Sequence, residues 1–165
     1  MLLYLLRHGI AEDHGTRAID SERTLTEEGI KKTTAAMNAI AAMNIASPQL
    51  IISSPYIRAY QTAEIAHKAF EVRQEIIKSE MLIPSADIIA TMGMVASYID
   101  KHSPLMIVGH EPHLSSFGSA LLGSSSPVIE MKKASLACFE LYRLDVPRLR
   151  GVLTKLIPPK IGTLA

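Results

Sequence analysis

Cysteine is nearly absent from this 165-residue chain, and the single Cys138 excludes an internal disulfide and zinc sites built on cysteine pairs. One lone thiol also fits a reducing cytoplasm. A dominant charge of either sign is lacking too, since 17 Lys and Arg offset 16 Asp and Glu to leave a net charge of +1. That balance argues against a nucleic-acid-binding face and against a polybasic membrane patch. No apolar run approaches the roughly 18 residues of a membrane span. The apolar start, Met1 to Leu6, meets Arg7 with no basic region ahead of it, so it reads as a buried strand and not as a signal peptide. With 48% apolar and 20% charged residues, the composition is that of a globular protein, and the length predicts one domain over 1–165.

Short apolar runs alternate with longer amphipathic segments. Strands are expected at Met1–Leu6, Leu50–Ile52, Glu75–Lys78 and Leu105–Val108. Thr26 is a helix N-cap followed by Glu27 and Glu28, with Ile30, Met37, Ile40 and Ala41 as the apolar face. A second helix runs from Arg58 to Phe70 behind Ser53-Ser54-Pro55. A third begins near Pro84-Ser85 with Ile88, Ile89, Met92, Val95, Ala96 and Ile99 inward. The fourth, from about Leu114 to Leu122, stops at Gly123. Leu136–Tyr142 and Val152–Ile157 read as two more strands, antiparallel to each other. The alternation predicts a three-layer α/β/α fold, with helices on both faces of a mostly parallel central sheet.

Three clusters fall where an apolar strand ends, the edge at which open α/β sheets bind ligands. They are Arg7-His8-Gly9, Ser53-Ser54-Pro55-Tyr56-Ile57-Arg58 and Gly109-His110-Glu111-Pro112. Gly9 permits a sharp turn or a close backbone approach. Arg58, in a first helical turn, has the planar fork and nearby N–H groups that hold a phosphate or carboxylate. Two arginines and two histidines at three strand ends make one anion-binding pocket a simpler reading than three coincidences.

Arg7-His8-Gly9, Leu25-Thr26-Glu27-Glu28-Gly29, Ser54-Pro55-x-x-Arg58-Ala59-x-x-Thr62 and Gly109-His110 occur in this order. The pattern resembles the histidine phosphatase superfamily, which includes the phosphoglycerate mutases. The short chain and the form Gly109-His110-Glu111-Pro112-His113 look most like its bacterial phosphohistidine phosphatase branch, SixA. The resemblance implies the phosphoglycerate mutase-like fold and His8 as a nucleophile that is transiently phosphorylated. It further implies Arg7, Arg58 and His110 around the phosphoryl oxygens, with no cofactor or metal. Arg23 matches an arginine found at that place in SixA relatives and is a candidate to reach the phosphate or line the entrance. A neutral imidazole is a competent nucleophile near pH 7, and a backbone carbonyl at the Gly9 turn is expected to anchor its other nitrogen.

The larger relatives protonate the leaving oxygen with a glutamate after the third strand, and here Glu80 stands near that place. The acid phosphatase branch carries an acid directly after the second histidine, which here is Glu111. Both positions are open as general acid. Phosphohistidine leaves as neutral imidazole when its distant nitrogen is already protonated, so a weak acid favours a phosphoramidate over an ester. The expected substrate is therefore a phosphorylated protein domain, a histidine-containing phosphotransfer module. A phosphatase for small phosphate esters is the alternative, and a non-catalytic phosphate-binding module the remote one.

Overall fold

A computed structural model of the chain describes residues 1–143 and 149–160. Its six-stranded sheet comprises β1 (Leu2–Arg7), β2 (Leu50–Ser53), β3 (Ile77–Lys78), β4 (Leu105–Gly109), β5 (Leu136–Arg143) and β6 (Leu149–Ile157), in the order β3-β2-β4-β1-β5-β6. The four strands from β3 to β1 are mutually parallel, and β5 and β6 join as an antiparallel ribbon on β1. The sheet is thus mixed, parallel where the predicted clusters lie. The helices are α1 (Glu27–Ala41), α2 (Ile57–Ala69), α3 (Ile88–Ile99) and α4 (His113–Leu121). Among the described residues no helix is long and apolar enough to cross a membrane.

The strand pleat sorts two cores onto opposite faces. Leu3 and Leu5 of β1 point toward Val95 and Ile99 of α3 and Leu114, Phe117 and Leu121 of α4. Tyr4 and Leu6 point the other way, toward Met37 and Ile40 of α1 and the alanines of α2. A strand buried on both faces has no use for polar alternation, which is why β1 is an unbroken apolar run. Cys138 sits in the second of these cores, and burial pushes its thiol up to about 11.

Local chemistry sets the helix ends. The Thr26 hydroxyl accepts from the Gly29 amide and caps α1, and the Asp87 carboxylate does the same for α3 through the Ala90 amide. Beyond α4, Gly123 turns through φ +88°, the left-handed position that suits a residue without Cβ.

Two inward assignments are corrected. Ile30 is 44% exposed and Ile89 is 74% exposed. In α1 the buried face is instead Gly29, Thr33, Ala36, Met37 and Ile40. A Cβ on Gly29 would collide with the Ile10 carbonyl, so α1 packs on the segment after β1 through its smallest residue. In α3 the buried residues are Thr91, Val95 and Ile99, and the Thr91 hydroxyl bonds the Met81 carbonyl at 2.8 Å.

Candidate active site

The chain runs outward from β1 to β2 and β3, then returns to insert β4 between β2 and β1. A crevice opens at the carboxyl ends of strands at such a reversal. Main-chain bonds continue past the strand ends: the His8 amide donates to the Gly109 carbonyl at 3.1 Å and the Ser54 amide to the Val108 carbonyl at 2.9 Å. The register Arg7↔Gly109 then sets His8 beside His110, with ring centroids 5.0 Å apart. The cavity there, about 260 Å³, is lined by Arg7, His8, Arg23, Arg58 and His110 together with Asp20.

His8 is only 7% exposed, and its Nδ1–H donates to the Gly9 carbonyl at 2.7 Å. Because a carbonyl only accepts, this bond fixes the tautomer and leaves a lone pair on Nε2. Burial is the largest influence on the ring, and with the charges of Arg58, Arg7 and Lys133 it outweighs the Gly9 bond and pushes His8 down to about 3. The expected carbonyl anchor is therefore present. His110 is also buried. Its Nε2 meets Ser54 Oγ at 2.9 Å, and burial, then His8 and Arg58, push it down to about 2. Tyr56 packs edge-on against it at 5.1 Å.

Asp20 organises the arginines. Its carboxylate accepts from Arg23 Nε at 2.8 Å and from Arg58 Nη2 at 2.9 Å, and its carbonyl accepts from Arg58 Nη1 at 2.8 Å. Partial burial acts to raise Asp20, but the bonds from Arg23 and Arg58 prevail and hold it below the usual carboxylate range. Arg23 Nη1 also donates to the Glu12 carbonyl at 2.5 Å, and Arg7 Nη1 to the Met131 carbonyl at 2.6 Å. Arg7 is thus held through Nη1, Arg58 through both Nη atoms, and Arg23 through all three nitrogens, its Nη2 lying 3.4 Å from His14 Nε2. Arg7 Nε, Arg58 Nε and His110 Nδ1 are buried without a partner, and all three residues line the cavity.

Every basic residue expected at the site lines this cavity, Arg23 included. Gly9 serves close approach: its amide donates to Thr62 Oγ1 at 3.1 Å, and a Cβ there would press on Thr33 Oγ1. Glu111 lines the cavity, but its Oε1 accepts from the Ser115 amide at 3.2 Å in the first turn of α4. Glu80 is not brought in. It is exposed in a 3-10 turn at Glu80–Leu82, whereas the nearby residue reaching the cavity is Pro84. β3 ends at Lys78, so Glu80 lies beyond the strand. Asp20, Ser54 and Lys133 join the site only through the fold. Ser54 belongs to the Ser54-Pro55-x-x-Arg58 motif, but Asp20 lies in a polar loop whose path only the fold defines.

Residues 3–83 match the model of the Histidine phosphatase superfamily (branch 1). An uncharacterized protein of Picosynechococcus sp. is 30% identical over 142 residues, covering 82% of each chain. Among solved structures, the protein histidine phosphatase SixA complexed with tungstate superposes with a TM-score of 0.85 at 19% identity, covering 96% of this chain and 97% of that one. The putative phosphohistidine phosphatase SixA from Agrobacterium tumefaciens gives 0.79 at 23% identity, over 96% and 97%. A mycobacterial glucosyl-3-phosphoglycerate phosphatase with VO3 gives 0.72 at 18%, over 95% and 99%. The structural likenesses establish the phosphoglycerate mutase-like α/β fold in its SixA form. The family match and the fold agree, and the chain belongs to the histidine phosphatase superfamily.

Proposed function

We propose that this phosphatase removes the phosphoryl group from phosphohistidine on a protein, through a phosphorylated His8. In the first step His8 Nε2 attacks phosphorus in line while the P–N bond of the substrate breaks. The substrate imidazole, protonated on its far nitrogen, leaves as the neutral ring and takes no proton from the enzyme. In the second step water attacks phospho-His8, its two protons leave on the product phosphate, and Nε2 recovers its lone pair. Arg7, Arg58 and His110 stabilise the charge spread over the equatorial oxygens, the main demand of phosphoryl transfer. The Tyr56 amide donates to Ser54 Oγ at 3.3 Å, so the hydroxyl proton is available to His110 Nε2. That leaves the ring proton of His110 on Nδ1, its unpartnered nitrogen and a donor to phosphate.

One observation carries this substrate class: three carboxylates of the cavity, Glu12, Asp20 and Glu111, are committed elsewhere, and the fourth, Asp13, is exposed to solvent. Arg17 holds Glu12 down to about 2, and Arg23 and Arg58 hold Asp20 ionised. Glu111 is hydrogen-bonded to the first turn of α4, and Glu80 lies outside. An alkoxide leaving group needs a proton donor, and its lack costs about 10²–10⁴-fold. A neutral imidazole leaving group has no such need.

The deciding experiment compares phosphoramidate, a phosphohistidine protein and an alkyl phosphate ester such as glycerol phosphate, with and without chelator. Faster phosphate release from the two P–N substrates is expected, and chelator should leave the rates unchanged. Ester turnover that equals or exceeds them, and falls with Glu111→Gln, would establish the ester reading instead.

A further inference from the structure

Arg7 and Lys133 line the catalytic cavity and also form one wall of a second, larger cleft of about 610 Å³. This cleft lies between the first half of α1 and the segments that flank β5 and β6. Its apolar surfaces are Ile10, Ala35, Ala134 and Pro159, and its cations are Lys32, Lys132, Lys133 and Arg7. Lys160 completes the rim. Among the described residues lining it there is no carboxylate. In a chain whose net charge is +1, this is a marked concentration of one sign. Lys32 pairs with Glu28 at 2.5 Å, but both side chains are more than half exposed, and such surface pairs are weak and exchange readily. Two buried polar atoms of the lining residues have no partner, Arg7 Nε and Thr33 Oγ1.

We propose that this cleft docks an acidic segment of the phosphorylated partner protein, with an apolar side chain in the cleft and flanking carboxylates on the lysines. The proposal rests on the phosphohistidine reading above and names the partner's surface chemistry. Three observations select this occupant. The cationic rim calls for an anionic partner, which complementary charge both steers and orients. The apolar floor calls for a side chain and so distinguishes a peptide from a free inorganic anion. The shared wall of Arg7 and Lys133 sets the cleft beside the phosphoryl pocket, so a segment bound there places its neighbouring phosphohistidine within reach of His8. A pocket of about 260 Å³ gains further grip on a protein from such an adjoining surface.

The test uses the charge-reversed variant Lys32→Glu/Lys132→Glu, neither residue belonging to the catalytic cavity. The first probe is a dye-labelled peptide alternating glutamate with leucine, followed by fluorescence anisotropy. Binding by the parent should weaken about ten-fold or more in the variant and fall with rising salt. A lysine–leucine peptide should not bind. In the kinetic arm, KM for a phosphohistidine phosphotransfer protein should rise about ten-fold while phosphoramidate turnover stays within about two-fold. Equal peptide binding by parent and variant, equal binding of the basic peptide, or equal losses on both substrates would overturn the proposal. If the parent binds the acidic peptide through these lysines yet hydrolyses neither P–N substrate, the functional reading fails and the cleft keeps its ligand class.

Discussion

A nucleophilic histidine is useful only while Nε2 keeps its lone pair, and here that condition is met by burial and neighbouring cations. With His8 lowered to about 3 and the neutral ring as the reactive form, lowering the pH from about 7 to about 5 should not protonate it in the free enzyme. The kcat/KM for phosphoramidate is therefore expected to lack a fall centred on the ordinary histidine value near 6.5, as a pH–rate profile will show. His8→Ala should reduce turnover to background, read by phosphate release and by loss of the phosphoenzyme in acid-free gels. Asp20 works through Arg23 and Arg58. Asp20→Asn keeps the shape but loosens two charge-assisted bonds, and about a ten- to hundred-fold drop in kcat/KM is expected. Because the change acts through positioning, a shared effect on every phosphorylated substrate distinguishes it from the lysine cleft. Arg7, His8, Arg58 and His110 are legible in sequence because each ends a strand, directly follows one or opens a helix. Asp20 is not, since its partners stand 3 and 38 positions away along the chain and only the folded loop joins them.

At the scale of the element, α1 shows why apolar spacing misleads. Counting apolar residues puts Ile30 inward, yet the helix turns Gly29 and Thr33 toward the sheet because close contact with the Gly9–Ile10 backbone selects the smallest side chains. The same happens in α3, where Thr91 is buried through its hydroxyl bonds and Ile89 faces out. Small and polar residues carry no hydrophobic signal, so such faces are invisible to periodicity. The strands were read well because β1, β2 and β4 are buried on both sides and therefore uniformly apolar. β3 was overextended, its ladder being only Ile77–Lys78. A mutation tests the α1 contact directly. Gly29→Ala forces a Cβ onto the Ile10 carbonyl, and because backbone must yield, a loss of about 1–3 kcal/mol is expected in urea denaturation. Ile30→Ala, on the exposed side of the same helix, should stay within about 0.5 kcal/mol.

For the whole molecule, the two buried histidines couple function to acid stability. Each has a folded value below its ordinary 6.5, so the unfolded chain binds more protons in that range and stability falls as pH drops below about 6.5 toward the folded values of about 3 and 2. Above about 6.5 both rings are neutral in either state and the dependence vanishes. Urea midpoints should accordingly decline from pH 7 to pH 5, with a slope on the order of 1 kcal/mol per pH unit for each ring in the steep range. His110→Asn should flatten that decline.

His8, Ser54 and His110 directly follow the three central parallel strands, and main-chain bonds from the His8 and Ser54 amides tie the segments after β1 and β2 to β4. The reacting group cannot be displaced without parting the middle of the sheet. On heating, loss of turnover and loss of the sheet should therefore be one event, with activity and far-ultraviolet dichroism sharing a midpoint. Catalysis in this molecule serves as a thermometer of its own backbone.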